Sequence, residues 1–135
     1  MTGVIGHIAN PTIDESVALA REAEAVGARW IGFADAFWWR DVWMALTRVA
    51  AETSTIEIGP AMTNAYLRHP FHTVSALATL QELAPGRTFA GITAGGSEVT
   101  VAAGLSRADA PDRVRELVEL LRVCAVGGPL DHASG

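Results

Sequence analysis

Short apolar runs alternate with longer amphipathic segments along the chain, and this alternation constrains the fold more than any other feature. Each run is followed by a segment with helical periodicity, and no hairpin turn signal separates one run from the next. Strands joined through helices become parallel neighbours in one sheet. The pattern therefore predicts an α/β fold with a parallel sheet, built from four strand–helix units. The four predicted strands are Val4–Ala9, Arg29–Asp35, Ile56–Pro60 and Thr88–Ala94.

Local signals set the limits of the helices that follow these strands. Thr12 with Glu15 three residues later forms a capping-box pattern, and Gly27 is placed to end the first helix. The second helix is apolar on more than one face, which predicts burial on two sides. The helices are predicted to run from Thr12 to about Val26, from about Asp41 to Thr53, from Pro70 to the turn at Pro85, and from about Pro111 to Val126. An irregular tail at 127–135 completes the chain.

The length of 135 residues fits one domain, spanning 1–135, with only half the units of a closed barrel. A complete (β/α)₈ barrel takes about 250 residues, so four units correspond to half of one. A doubly wound sheet of this length is the alternative. Its dinucleotide-binding fingerprint would follow the first strand, where Asn10, Pro11 and Thr12 supply no glycine.

The amino-acid composition limits the kinds of partner that we expect the chain to bind. Ten basic against 15 acidic residues give a net charge of −5 with no basic run, so we expect no nucleic-acid partner. No uninterrupted apolar run approaches the roughly 20 residues of a spanning helix, so we expect no membrane anchor. A single cysteine, Cys124, excludes an internal disulfide and favours the cytoplasm. We expect no metal site, and the apolar face around Cys124 predicts that this thiol is part of the core.

Polar residues and glycines gather where the predicted strands end. Gly59-Pro60 makes an irregular end to the third strand, because proline offers no N–H to a neighbouring strand. Asp35 ends the second strand, and Gly95, Gly96 and Ser97 follow the fourth. Ligands of α/β proteins bind at the carboxyl ends of parallel strands, so these positions predict a binding site.

The same positions resemble a known family. The sequence is similar to the luciferase-like monooxygenase superfamily, and its Thr-Asn-x-x-x-Arg-His-Pro run is most similar to the methylenetetrahydromethanopterin reductase branch. The residues that carry the resemblance are Trp30-Ile31-Gly32, Asp35, Arg40-Asp41, Ile58-Gly59-Pro60, Thr63-Asn64, Arg68-His69-Pro70 and Gly95-Gly96-Ser97. The resemblance covers the amino-terminal half of a family member, whose fold is a (β/α)₈ barrel.

The resemblance implies a cofactor, either the deazaflavin coenzyme F420 or FMN, and a small-molecule substrate. It implies a cis peptide bond between Ala61 and Met62 that backs the cofactor ring, with Asp35 beside the ring. Thr63 and Asn64 would supply polar contacts. The fourth-strand loop formed by Gly95, Gly96 and Ser97 would pass beside the cofactor. The catalytic residues stay unassigned.

Two departures from the family pattern bear on activity. Ala36 stands where many deazaflavin members have histidine, and Gly96 stands where several have an acid. Two functions therefore remain open. One is an oxidoreductase that uses a reduced deazaflavin or FMN for hydride transfer or monooxygenation on paired donors. The other is a truncated, non-catalytic remnant that binds a flavin or another subunit. The low charge of the second and third helices predicts a homo-oligomer through them.

Several candidate residues also have plain structural interpretations. Asp35 could cap the loop before the second helix, and His69 and Arg68 could fasten the loop that contains them. His7 could point into the barrel mouth or lie in the core. Packing is the favoured interpretation of Trp38, Trp39 and Trp43 over a stacking wall for a ring.

Overall fold

A computed structural model describes residues 3–6 and 10–125 and shows the predicted alternation of strands and helices. The predicted position of His7 and the predicted tail at 127–135 lie outside the described residues. The elements in chain order are β1 (Val4–Gly6), α1 (Ile13–Ala25), β2 (Trp30–Phe33), α2 (Val42–Glu52), β3 (Glu57–Pro60), β4 (Thr63–Asn64), α3 (Pro70–Leu83), β5 (Ile92–Thr93), α4 (Ser97–Ala102) and α5 (Ala110–Ala125).

The strands are parallel, as predicted. β1, β2 and β3 form one sheet in that order, with Ile31 of β2 lying between Val4 and Ile58. β4 and β5 pair as a second parallel sheet. The two sheets are continuous along the segment before β5, because the Phe89 N–H donates to the Ile58 carbonyl at 3.1 Å.

The fourth predicted strand differs from its expected extent. Thr88–Ala94 was expected to form one strand, whereas regular strand is confined to Ile92–Thr93 and a single bridge joins Thr88 to Ile58. The reason is the interruption of its neighbour at Ala61 and Met62, which divides the third strand into β3 and β4. A strand that follows a broken neighbour cannot keep one register along its whole length.

The core lies between the first sheet and the helices α1 and α2, with α3 closing one side. α2 is buried on two faces, as its sequence predicts, because it packs against α1, α3 and β3. Leu46 of α2 is completely buried together with Ile31 and Ile58 from the sheet. Full burial of such side chains contributes roughly 1.5–3 kcal/mol each.

Some helix details differ from expectation. Val26, the predicted end of the first helix, lies just beyond α1 and is 82% exposed. The buried residues of α3 are Thr73 and Leu80. The short helix α4 was not predicted. In α5 the buried positions are Ala110, Leu117 and Leu120, and Cys124 is partly buried.

Two charged side chains organise the amino-terminal end of β3, away from its irregular tip. The Glu24 carboxylate accepts hydrogen bonds from the backbone N–H groups of Ser54, Thr55 and Ile56 at 2.6–3.0 Å. Arg87 donates to the carbonyl of Ile56 at 2.9 Å. These contacts fix where α2 ends and β3 begins.

No helix among the described residues is long and apolar enough to span a membrane.

Candidate functional site

The carboxyl ends of three strands meet at one end of the sheet, as the sequence predicts. Asp35, two residues after β2, accepts a hydrogen bond on its carboxylate from the Thr63 hydroxyl of β4 at 2.8 Å. Its backbone N–H donates to the Met62 carbonyl at 3.3 Å. On the other side of β4, a Cβ built on Gly95 would lie 3.5 Å from the Cβ of Asn64. The tips of β2, β4 and β5 therefore form one surface.

The irregular segment between β3 and β4 lies at the centre of this surface. The peptide bond between Ala61 and Met62 is cis, as the resemblance implies. The Ala61 N–H donates to the Phe33 carbonyl at 2.7 Å. Gly32 of β2 leaves the space that Ala61 fills, since a Cβ there would lie 2.4 Å from the Ala61 Cβ. The Met62 side chain is half exposed at the tip.

Asp35 is a buried carboxyl whose surroundings shift its pKa in opposite directions. Its side chain is only 5% exposed. Burial raises the pKa of Asp35 above its ordinary value, the Thr63 hydrogen bond and the Arg68 charge act to lower this pKa, and the charge of Asp41 acts to raise it. Thr63 and Arg68 both approach the same oxygen, Oδ2. Oδ1 makes no hydrogen bond with any described residue, and Asp35 lines a cleft.

Arg68 connects Asp35 to the start of α2. Its Nη2 donates to Oδ2 of Asp41, and its Nε lies 3.8 Å from Oδ2 of Asp35. Asp41 in turn caps α2, with Oδ1 accepting from the N–H groups of Trp43 and Met44 at 2.9 and 3.2 Å. Burial opposes ionisation of Asp41, but the Arg68 and backbone hydrogen bonds prevail and lower its pKa. The cap of α2 is thus Asp41, and Asp35 does not serve as one.

The loop before α3 is fastened by its own side chains. Asn64 Oδ1 accepts from the N–H groups of Tyr66 and Leu67, both at 3.0 Å. His69 is the N-cap of α3, where its Nδ1 accepts from the Phe71 N–H at 3.4 Å. This geometry agrees with the structural interpretation of His69. Arg40, another residue of the resemblance, lies before α2 and donates to Asn10, so it joins the start of α2 to the segment before α1.

In the loop formed by Gly95, Gly96 and Ser97, Gly95 is the residue that lies against Asn64 of the site. Gly95 is buried beside Asn64 with a φ of +76°, a conformation that suits glycine. Gly96 is the N-cap of α4, and Ser97 is the first residue of that helix. Both accept hydrogen bonds from Thr100, and none of their hydrogen bonds in the described part of the chain reaches Asp35 or Thr63. The described hydrogen bonds of Gly96 and Ser97 therefore belong to the first turn of α4.

A cleft of about 250 Å³ opens beside Asp35. Its walls combine two carboxylates, one guanidinium and apolar side chains, and the lining residues are Asp35, Ala36, Phe37, Trp39, Asp41, Leu67 and Arg68. Trp43 is buried in the core, which confirms packing for that residue. Trp38 instead lies half exposed and edge-to-face against Phe37, with ring centroids 4.7 Å apart. Trp38 therefore packs on one side only, and the prediction of packing is wrong for its exposed part.

One cluster near the site was missed by the sequence interpretation. The Tyr66 hydroxyl donates to Asp109 at 3.2 Å, and the Arg113 guanidinium lies 5.2 Å from the centre of the Tyr66 ring. Asp109 and Arg113 pair at 2.6 Å. Their separation of four residues is the one signal that predicts this pair. The cluster ties the loop before α3 to the start of α5.

Among the described residues, no group of three or more histidine, cysteine, aspartate or glutamate side chains is arranged to hold a metal ion.

The family model and the similar proteins of known name agree on one family. The family model described as luciferase-like monooxygenase matches residues 2–135. A 5,10-methylenetetrahydromethanopterin reductase from Archaeoglobus fulgidus is 38% identical over 88 residues, which are 65% of this chain and 26% of that protein. The enzyme of the same name from Methanopyrus kandleri is 34% identical over 101 residues, which are 64% of this chain and 29% of that protein.

Solved structures show the same fold. The coenzyme F420 dependent tetrahydromethanopterin reductase from Methanopyrus kandleri superposes with a TM-score of 0.84 at 25% identity, over 98% of this chain and 42% of that one. The oxygenating constituent of 3,6-diketocamphane monooxygenase from Pseudomonas putida, in complex with FMN, gives a TM-score of 0.79 at 23% identity over 98% and 41%. The chain thus spans less than half the length of these proteins and corresponds to part of a TIM barrel.

Proposed function

This chain belongs to the luciferase-like monooxygenase family, and from that premise we propose that it binds a reduced deazaflavin or FMN at the joined tips of β2, β4 and β5. The bound cofactor would supply a hydride or reduce oxygen, with a small molecule as the second substrate. The observation that carries the proposal is the pairing of Asp35 with Thr63 beside an open cleft.

The residues present fit a flat ring with N–H donors. Asp35 offers a carboxylate oxygen that makes no hydrogen bond with a described residue, and an anionic oxygen is a strong acceptor for a ring N–H. Ala61 and Met62 would lie against one side of the ring, with Thr63 and Asn64 holding that segment in place. Gly95 lets the backbone approach closely. Gly96 and Ser97 would act farther from Asp35, at the start of α4.

A deazaflavin is the preferred cofactor of the two. The matched relatives named above are methylenetetrahydromethanopterin reductases, and the solved structure with a TM-score of 0.84 is described as coenzyme F420 dependent. The likeness to the FMN complex is at 23% identity and therefore speaks to the fold. The motif from Thr63 to Pro70 favours the same branch.

The residues of this chain would bind and orient rather than move protons. An ionised Asp35 accepts hydrogen bonds and donates none. Ala36 and Gly96 replace side chains that could exchange protons in related sequences. We therefore assign cofactor binding to this end of the sheet and no general acid to it.

Binding without turnover is the second candidate function. It is favoured by the share of related structures that this chain spans, 42% and 41%, together with Ala36 and Gly96. The two functions share one site and differ only in whether the bound cofactor reacts.

We also propose that α2 and α3 form a contact between copies of the chain. α3 carries no charged residue before Glu82 and leaves Phe71 exposed, while Met44 of α2 is 70% exposed. Exposed apolar side chains on neighbouring charge-poor helices favour such an interface. A cytoplasmic location is proposed with it, on the basis of the single cysteine.

The test is a binding titration of the purified chain with coenzyme F420 and with FMN, each in its oxidised and its reduced form. Binding is monitored by fluorescence. We expect saturable binding that Asp35→Asn weakens and that Asp112→Asn, an exposed carboxyl on α5, leaves unchanged. Hydride loss or oxygen uptake with bound cofactor supports turnover. Binding with neither supports the second candidate, and absence of binding by both cofactors contradicts the proposal.

A further inference from the structure

The most unusual charge arrangement in the described part of the chain is a guanidinium shared by two carboxylates. Arg68 lies between Asp35, at the tip of β2, and Asp41, at the start of α2. Its side chain is 29% exposed, so most of it is removed from water. The three groups carry a formal net charge of −1 in a partly buried cleft, and removing such charges from water costs free energy unless ion pairing and hydrogen bonds offset it.

The contacts of Arg68 are unequal. Nη2 makes a hydrogen bond to Asp41, whereas Nε is buried with no hydrogen-bond partner among the described residues and lies 3.8 Å from Asp35 Oδ2. That separation allows strong charge attraction but exceeds hydrogen-bond distance. Asp41 thus anchors the guanidinium, and the anchored charge acts on Asp35.

Arg68 lies in the loop that directly follows β4, the strand of the other group that holds Asp35. Thr63 and Arg68 both approach Oδ2 of Asp35. The loop between them is held by the hydrogen bonds that Asn64 Oδ1 accepts from Tyr66 and Leu67. The effect is to occupy one oxygen of Asp35 and to leave the other, Oδ1, without a partner among the described residues.

We propose that Arg68 is a positioning residue for Asp35: anchored by Asp41, its charge keeps the buried carboxylate ionised and holds Oδ2, so that Oδ1 accepts an N–H donor of the ligand. The ligand class is a neutral ring with such a donor, and this part of the inference rests on the proposed function. Without Arg68, burial and the Asp41 charge would favour the protonated form of Asp35, which competes with the ligand for Oδ1.

The charged groups that face Asp35 in the described structure are Arg68 from the loop before α3 and Asp41 from α2, and the neutral Thr63 faces it from β4. Their effects on the pKa of Asp35 have opposite signs: Arg68 lowers it and Asp41 raises it. Because the Arg68 charge lowers this pKa, replacing Arg68 with a neutral residue and with lysine gives a test that a merely structural role of Arg68 would not pass.

The experiment is NMR titration of the Asp35 side-chain carboxyl in the full 135-residue chain without cofactor. We expect Arg68→Met to move the titration midpoint upward and Arg68→Lys to restore most of it. Asp41→Asn would remove both a charge that raises the midpoint and the anchor of Arg68, so its two effects oppose each other and its midpoint does not test the inference. Arg48→Met, which removes an exposed arginine of α2, should leave it unchanged.

Titration of coenzyme F420 binding against pH gives the second readout. Affinity should fall by up to about tenfold for each pH unit below the Asp35 midpoint, since one proton competes with the ligand. The fall should begin at higher pH in Arg68→Met than in the unaltered chain.

An Asp35 midpoint that is unchanged or lowered in Arg68→Met would overturn the inference. If Arg68→Met does not fold, an unchanged or lowered midpoint in Arg68→Gln, which keeps a polar side chain without the charge, would overturn it instead. If the midpoints move as expected while neither coenzyme F420 nor FMN binds, the role of Arg68 stands and the proposed function fails.

Discussion

The Thr63 hydroxyl donates a 2.8 Å hydrogen bond to the carboxylate of Asp35, from a residue 28 positions away along the chain. Thr63 is 1% exposed, and the Asp35 side chain is 5% exposed, so the bond lies almost completely out of water. It joins the tips of two strands in the centre of the candidate site. The stability of the site and the charge of Asp35 both depend on it.

Thr63→Val should destabilise the chain by about 1–2 kcal/mol at neutral pH, because a buried carboxylate loses a hydroxyl donor. The same change should raise the pKa of Asp35, since this hydrogen bond favours the charged form. The loss should therefore shrink as the pH falls and Asp35 becomes protonated. Urea unfolding at several pH values measures it. Thr47→Val, which removes an exposed hydroxyl bonded to the Trp43 carbonyl, is the matched control.

Gly32→Ala should disturb the segment around Ala61, because the added Cβ would lie 2.4 Å from the Ala61 Cβ. Overpacking of this kind costs about 1–3 kcal/mol. Ala61→Gly removes the opposing atom, so the double variant should recover a large part of the loss. A double-mutant cycle from urea unfolding gives the coupling. Additive effects of the two substitutions would show that the contact is not the cause.

Much of the fold could be predicted because its signals are local. Thr12 accepts from the Glu15 N–H, and the Glu15 carboxylate accepts from the Thr12 N–H, which is the capping box that their spacing predicts. The parallel strand order follows from the alternation of strands and helices. These features depend on residues within a few positions of one another, and a single sequence displays them directly.

The remaining features depend on distant contacts. The exposed face of α3 could not be predicted, because a helix with no charged residue before Glu82 carries no charged stripe to mark its solvent side. α4 has six residues and no side-chain cap, so it lacks both periodicity and a start signal. In the site, Arg68 and Asp41 are 27 positions apart, and their pairing depends on how the loop before α3 crosses the start of α2. The place of Ser97 as the first residue of α4 likewise lacks a sequence signal.

Leu46→Ala should destabilise the chain by about 2–5 kcal/mol, because it opens a cavity at a completely buried position of α2. Met44→Ala on the same helix should cost less than about 0.5 kcal/mol at low protein concentration, since Met44 is exposed. If α2 forms the proposed contact between copies, the cost of Met44→Ala should grow with protein concentration. Thermal unfolding at two concentrations separates these outcomes, and equal costs for both variants would contradict the described packing of α2.

Glu24→Gln should lower the free energy of unfolding by an amount that depends on pH. Burial acts to raise the pKa of Glu24, but the hydrogen bonds from residues 54–56 outweigh it and lower the pKa from 4.5 to about 2. A carboxyl with a lowered pKa stabilises the fold fully above the pKa of the unfolded state. That contribution is lost as the pH falls from about 4.5 toward 2.

We therefore expect Glu24→Gln to cost about 1–2 kcal/mol at pH 7, a value reduced for solvent screening because Glu24 is only partly buried. The difference from the unaltered chain should persist at pH 5 and become small near pH 2. Urea unfolding across this range provides the measurement. Glu22→Gln removes the same charge from an exposed position of α1 and should show neither effect. A cost for Glu24→Gln that stays constant down to pH 2 would mean that the backbone N–H groups do not hold the charged form, because only ionisation links this contact to pH.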